Sequence, residues 1–192
     1  MNRKIFFLAA AAVIAAAGFY FGSALLRPSA LTPQQRQAIA RDQQIFSEWY
    51  EDYKYNLSQL DFAWRQYHRI LKDFRDEEAD AEAISERLHQ LKAKQAYILK
   101  DIGQLPPPKE LSTELYDLSI PLYTKLNAYA KAQGKAVSRS AALMSPANAA
   151  LFEDKVLCRR LEEICVAEAP AALFIASDII AVRNHLLLLD EK

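Results

Sequence analysis

The side chains best suited to nucleophilic, redox or metal chemistry in this 192-residue chain are two cysteines and three histidines. Cys158 and Cys165 bracket the stretch CRRLEEIC. On a continuous helix, seven residues share a face but rise about 10.5 Å, beyond the roughly 7 Å between Cα atoms that a disulfide spans. Outside the cytoplasm bonded cysteines are more usual than free ones. Two outcomes therefore stay open beside a pair of free core thiols: a disulfide closing a non-helical loop, and pairing with another chain. The spacing matches no common zinc motif, and no histidine neighbours it. His68, His89 and His185 are scattered through the chain. There is no glycine-rich phosphate loop, no G-x-S-x-G, no H-E-x-x-H and no strand pattern for a nucleotide-binding fold. The expectation is a non-catalytic protein with no cofactor, no bound metal and no small-molecule substrate.

A second concentration of chemistry is aromatic. The window WYEDYKYNLSQLDFAWRQYH, Trp49 to His68, holds seven phenyl, phenol and indole rings and both tryptophans of the chain. Tyr50, Tyr53, Trp64 and Tyr67 fall on a helical seam and are expected in a core. Trp49 flanks that seam and widens it. Tyr55 and Phe62, seven residues apart, fall on the opposite side, where an isolated hairpin would show polar groups. Three coverings fit them: C-terminal helices of the same chain, a second chain, or a ligand within a bundle pocket. Trp49, Tyr55 and Phe62 are the candidate interaction surface.

The elements that position these rings are helical. Four glycines and an excess of Ala, Leu, Gln, Glu, Lys and Arg predict an all-α chain. LTPQQ reads as a helix start, with Thr32 as cap, Pro33 in the first turn and Gln35 closing a capping box. From there Ile39, Phe46, Tyr53, Leu60, Tyr67 and Phe74 repeat every seven residues, and Tyr50, Leu57, Trp64 and Leu71 form an offset series interrupted at Gln43. No Gly or Pro breaks the run from Gln34 to Asp76. Ile84, Leu88, Leu91, Gln95, Ile98 and Ile102 supply a matching seam before Gly103. A long antiparallel, coiled-coil-like hairpin is predicted over 33–103, with the acids of RDEEADAE near the positive end of its second helix. The Pro-rich turn 104–109 follows, then C-terminal helices over 110–189. These are a helix from about Lys109 to Gln133, kinked at Pro121 and stopped by Gly134, a fourth opening at Ser145-Pro146, and a fifth from Pro170 to Leu189 read as the central bundle helix. KAVSRSAALM is expected to be a loop.

Residues 1–27 form a separate unit. Ile5 to Leu26 is an uncharged run of 22 residues, long enough to cross a bilayer. Arg3 and Lys4 before it favour a cytoplasmic N-terminus, although Arg27 weakens that bias. Gly22-Ser23-Ala24 would permit cleavage before Leu25, so a cleaved signal peptide and a secreted body are the alternative to a single-pass anchor. The body, 28–192, carries 21 Lys and Arg against 24 Asp and Glu, a mildly acidic balance that offers nucleic acid no footprint. The reading is a membrane anchor through residues 5–26 in a bacterial inner membrane. It carries a periplasmic helical bundle that binds another envelope protein or a second copy of itself. An extracytoplasmic sensory or small-ligand-binding bundle is the alternative.

Overall fold

A computed structural model describes residues 32–187. The expected span, Ile5 to Leu26, lies outside the described residues, and no helix among the described residues is long and apolar enough to cross a membrane. The described chain is all-helical. Helix α1 runs Pro33–Arg75, α2 Ala81–Gly103, α3 Thr113–Leu143, α4 Pro146–Ala149, α5 Asp154–Ala167 and α6 Ala176–Leu187.

Each end of the hairpin is built from local chemistry. The Thr32 hydroxyl accepts from the Gln35 N–H at 3.2 Å while Gln35 Oε1 accepts from the Thr32 N–H at 2.9 Å, the reciprocal capping box expected before a proline. With 43 residues, α1 is about 64 Å long. It stops without a glycine: Glu77 takes a left-handed conformation, φ 57°, so that its N–H reaches the Phe74 carbonyl and the Glu78 N–H reaches that of Asp73. Asp80 then caps α2, accepting from the Ala83 N–H at 2.8 Å. The acid cluster is divided in use, because Asp76 turns back to Lys72 at 2.9 Å and Arg75 at 3.1 Å rather than toward α2.

The third helix is where structure and sequence expectation part most. It runs through Gly134 to Leu143, so KAVSRSAALM is helix rather than loop. Gly134 costs about 1 kcal/mol in a helix interior. Continuing the helix buries Val137, Ala141 and Met144 completely, and a fully buried Val or Met is worth about 1.5–3 kcal/mol, so burial wins. Pro121 lies within the helix on its exposed side. The result is a three-helix bundle: α3 packs along α2 and α1, with Leu115, Leu122 and Leu126 meeting Leu60, Tyr67, Ile84 and Leu88 in one core. On α1 the buried stripe is Phe46, Tyr53, Leu60, Tyr67 and Phe74 together with Trp49, Asn56, Ala63, Ile70 and Leu71. Tyr50, Leu57 and Trp64 are only partly buried. The first three members of this second series are thus shifted by one residue from those that apolarity alone picks out, whereas its last member, Leu71, is buried as expected.

Polar groups inside this core are mostly paired. Tyr67 and Ser140 join α1 to α3 through a 2.7 Å hydroxyl contact, and Gln95 Nε2 donates to Gln133 Oε1 at 3.3 Å between α2 and α3. Three buried polar atoms have no partner among the described residues: Gln95 Oε1 and Gln133 Nε2, the other halves of the two paired amides, and the Tyr53 hydroxyl, whose pKa burial pushes far above the usual phenol value.

The remaining helices are shorter and more peripheral than the sequence suggested. Ser145 and Pro146 do open a helix, but it is the four-residue α4, none of whose side chains is buried. The chain restarts at Asp154, and α5 leans on α1 and α3 through Leu157 and Leu161. Glu168 at its end pairs with Lys135 at 2.9 Å and with Arg139. Residues 170–175 are not helical, so the last helix begins at Ala176 rather than Pro170. It is not the centre of the bundle: Val182 is its buried anchor while Ile180 remains 57% exposed. Lys125 Nζ clips it to α3 through Asp178 at 2.5 Å and the Phe174 carbonyl at 2.9 Å, and Gln43 donates to the Leu186 carbonyl at 3.3 Å.

Candidate interaction surface on the helical hairpin

Because α3 fills one side of the α1/α2 hairpin, the opposite side is left to solvent. Tyr55 is 63% exposed and Phe62 44%, so the C-terminal helices do not cover them. Those helices lie instead against α3 and the flanks of α1. Trp49 does not share this surface. It is 4% exposed, it meets Phe46 and Tyr53 at ring-centroid distances of 5.6 Å each, and its indole N–H donates to the Leu105 carbonyl at 3.1 Å. Its work is to hold the Pro-rich turn against α1. Sequence reasoning misplaced it because a residue flanking the chosen seam looked peripheral, whereas the seam itself runs through Trp49.

The exposed face continues onto α2. Arg87, Gln90, Lys94 and Tyr97 step by three, four and three, a single stripe of that helix, and Tyr97 is 71% exposed. Between Arg87, Gln90 and Lys94 of this stripe and Phe62, Arg65, Gln66, Arg69 and Asp73 of α1 lies an open groove of about 700 Å³. Its apolar floor is Ile70 and Leu91, both 4% exposed. The Lys94 ammonium sits 4.3 Å from the Phe62 ring centroid, a cation–π contact bridging the two helices. Asp73 is the one carboxylate lining the groove, and Arg87 Nη2 neutralises it at 2.7 Å. Arg65, Arg69 and Lys94 hold no ion pair among the described residues. The body is acidic overall, so this face concentrates charge of the opposite sign.

The sequence pointed to Tyr55 and Phe62 but not to Arg65, Arg69, Lys94 or Tyr97. The available signal was the repeat 87, 90, 94, 97 on the side of α2 away from Leu88, bordered by Leu91. Exposed cations on a helix read as ordinary solvation until the partner helix places them beside aromatic rings.

The thiols and imidazoles are arranged differently. Cys158 and Cys165 are both free and sit on the continuous α5, the helical alternative of the sequence reading. Cys165 Sγ lies 3.9 Å from His68 Nδ1, a contact across 97 residues that spacing alone does not reveal. The Trp64 ring meets the His68 ring edge-on at 4.9 Å. Burial lowers the His68 pKa and raises those of Cys158 and Cys165, with Glu162 adding to both thiol shifts. A thiol held protonated beside a neutral imidazole is a poor nucleophile. His89 faces the Ser85 carbonyl at 2.8 Å and His185 approaches Glu114 at 3.7 Å, so the three histidines do not converge. Glu86 and His89 have the E-x-x-H spacing of di-iron bundles, but both are exposed and Glu86 accepts from Gln90 at 3.0 Å. Among the described residues no three His, Cys, Asp or Glu side chains are grouped to hold a metal ion.

No family model, no curated protein and no solved structure matches this chain.

Proposed function

We propose that this chain is a membrane-anchored, non-catalytic interaction protein of the bacterial cell envelope, and that the outer face of the α1/α2 hairpin is its docking surface. The observation that carries the reading is the placement of exposed Phe62 with Arg65, Arg69 and Lys94 around an open groove, with Tyr55 and Tyr97 exposed further along the same two helices. Tyr, Phe and Arg are the residue types that concentrate at protein–protein interfaces, where large rings and a planar cation supply contact area with specificity. Nothing else in the described chain covers these rings. The apolar run Ile5 to Leu26 and the short spacer before Thr32 support an anchor that holds the hairpin on the periplasmic side of the inner membrane.

The experiment is site-specific photo-crosslinking in cells. A photoreactive residue at position 55, 62 or 97 of the full chain is expected to give a discrete adduct with another protein, while one at the exposed Lys131 of α3 gives none. Adducts equally abundant at Lys131, or none at the three hairpin positions, would remove the docking surface from the account.

A further inference from the structure

Resting on that docking surface, we propose that the groove between α1 and α2 takes an acidic amphipathic helix of a partner protein. The groove has the form of an unfilled helix slot. Its floor is the pair Ile70 and Leu91, and its rims are Arg65 and Arg69 on one side and Lys94 on the other. Phe62 closes one end and the Asp73–Arg87 pair the other. From Phe62 to Asp73 is eleven residues of α1, about 16 Å, which matches three turns of a docked helix. The same two helices already accept a helix, α3, on their other side. A partner helix with apolar residues alternately three and four apart would seat them on the floor, and Glu or Asp flanking them would meet the rim cations.

Charge selects among occupants. A second copy docking by the same face would set Arg65, Arg69 and Lys94 against their own images, which like-charge repulsion opposes. A bilayer surface is flat and would touch the rims without entering the groove, whereas a helix can lie between the rims and reach the exposed Phe62 ring. A carboxylate-bearing helix satisfies both floor and rims.

The test uses the full chain in detergent micelles and, as probe, a fluorescent amphipathic peptide of about 21 residues, Leu on one stripe with Glu flanking it, read by anisotropy. Its control carries Lys in place of Glu. The Glu peptide is expected to bind at least about tenfold more tightly than the Lys peptide at low salt, the advantage shrinking as salt rises. Combined Arg65→Glu, Arg69→Glu and Lys94→Glu should invert the preference, with helicity unchanged because none of the three is buried. Equal binding of the two peptides, or a preference untouched by the reversal, would overturn the proposal. So would pelleting of the wild type, but not the reversal variant, with phosphatidylglycerol vesicles when the Glu peptide fails to bind, since the anion recognised would then be a lipid phosphate. A crosslink at position 62 in cells without a Glu-peptide preference would keep the docking surface and refute the acidic helix; loss of the crosslink as well would refute both.

Discussion

The contact between Tyr67 and Ser140 joins the longest helix to the C-terminal end of α3, and its removal has a cost that can be worked out side by side for the two partners. Both residues are 0% exposed and their oxygens are 2.7 Å apart. Tyr67→Phe removes a hydrogen bond worth about 1 kcal/mol net, and leaves a serine hydroxyl that can turn back to the carbonyl four residues earlier on its own helix, so a total of about 1–2 kcal/mol is expected. Ser140→Ala leaves the phenol oxygen instead. The Tyr67 hydroxyl has no other hydrogen-bond partner among the described residues, so the unpaired group carries its full desolvation penalty and the cost rises to about 2–3 kcal/mol. The double variant removes both groups and should cost less than the two singles summed, with a coupling of about 1 kcal/mol. Urea unfolding of residues 28–192, followed by the fluorescence of Trp49 and Trp64, measures all four proteins; at this size about 1 kcal/mol shifts Tm by about 2–4 °C. Additive costs, or a Ser140→Ala variant no worse than Tyr67→Phe, would show that the hydroxyls do not pair.

Three further outcomes follow from the same packing. Glu77→Gly should raise stability by about 0.5–1 kcal/mol in the same titration, because the left-handed turn after α1, φ 57°, strains any side chain that glycine lacks; a loss would mean the turn is not left-handed. Gly134→Ala should also stabilise, by about 0.5–1 kcal/mol, since an added Cβ would meet only Gln95 Oε1 at an ordinary 3.7 Å inside a continuous helix; destabilisation would restore the helix break there. Burial pushes the Tyr67 phenol up to about 12 from an ordinary 10, so between these pH values the unfolded chain has released a proton that the folded chain keeps. Stability is therefore undiminished by this group below pH 10 and falls as pH rises through the window, and Tyr67→Phe should flatten the fall by up to about 1.4 kcal/mol per pH unit; an unchanged slope would show the phenol is not buried.

How far the sequence revealed the molecule differs between its halves. The hairpin was legible because heptads from Ile39 to Phe74 and from Ile84 to Ile102, a capping box at Thr32 and Asp80 before α2 all agree with one another. The second half lacks that agreement. Gly134 and Pro121 are helix breakers by propensity, yet α3 runs through both because its far end buries Val137 and Met144 against the bundle. The apolar composition of the last helix suggested a central position, but apolarity does not say how much surface neighbours supply, and Ile180 stays exposed. The outer face was legible by halves. Phe62 announced itself as an aromatic off the seam, whereas Arg69 and Lys94 became part of a surface only when the hairpin laid its two helices side by side.

The central claim, that the hairpin's outer face is bare in the isolated chain and covered in the cell, is tested most directly by thiol labelling. Single cysteines at positions 62, 69 and 97, in a chain with Cys158 and Cys165 replaced by serine, are exposed to a membrane-impermeant thiol reagent in the purified protein and in intact cells with a permeable outer envelope. Labelling at the rate of a free surface thiol in the purified protein, with protection of about tenfold or more in cells, is the expected pair of results. Equal labelling in both settings would contradict the docking surface, and slow labelling of the purified protein would contradict the fold that leaves that face open.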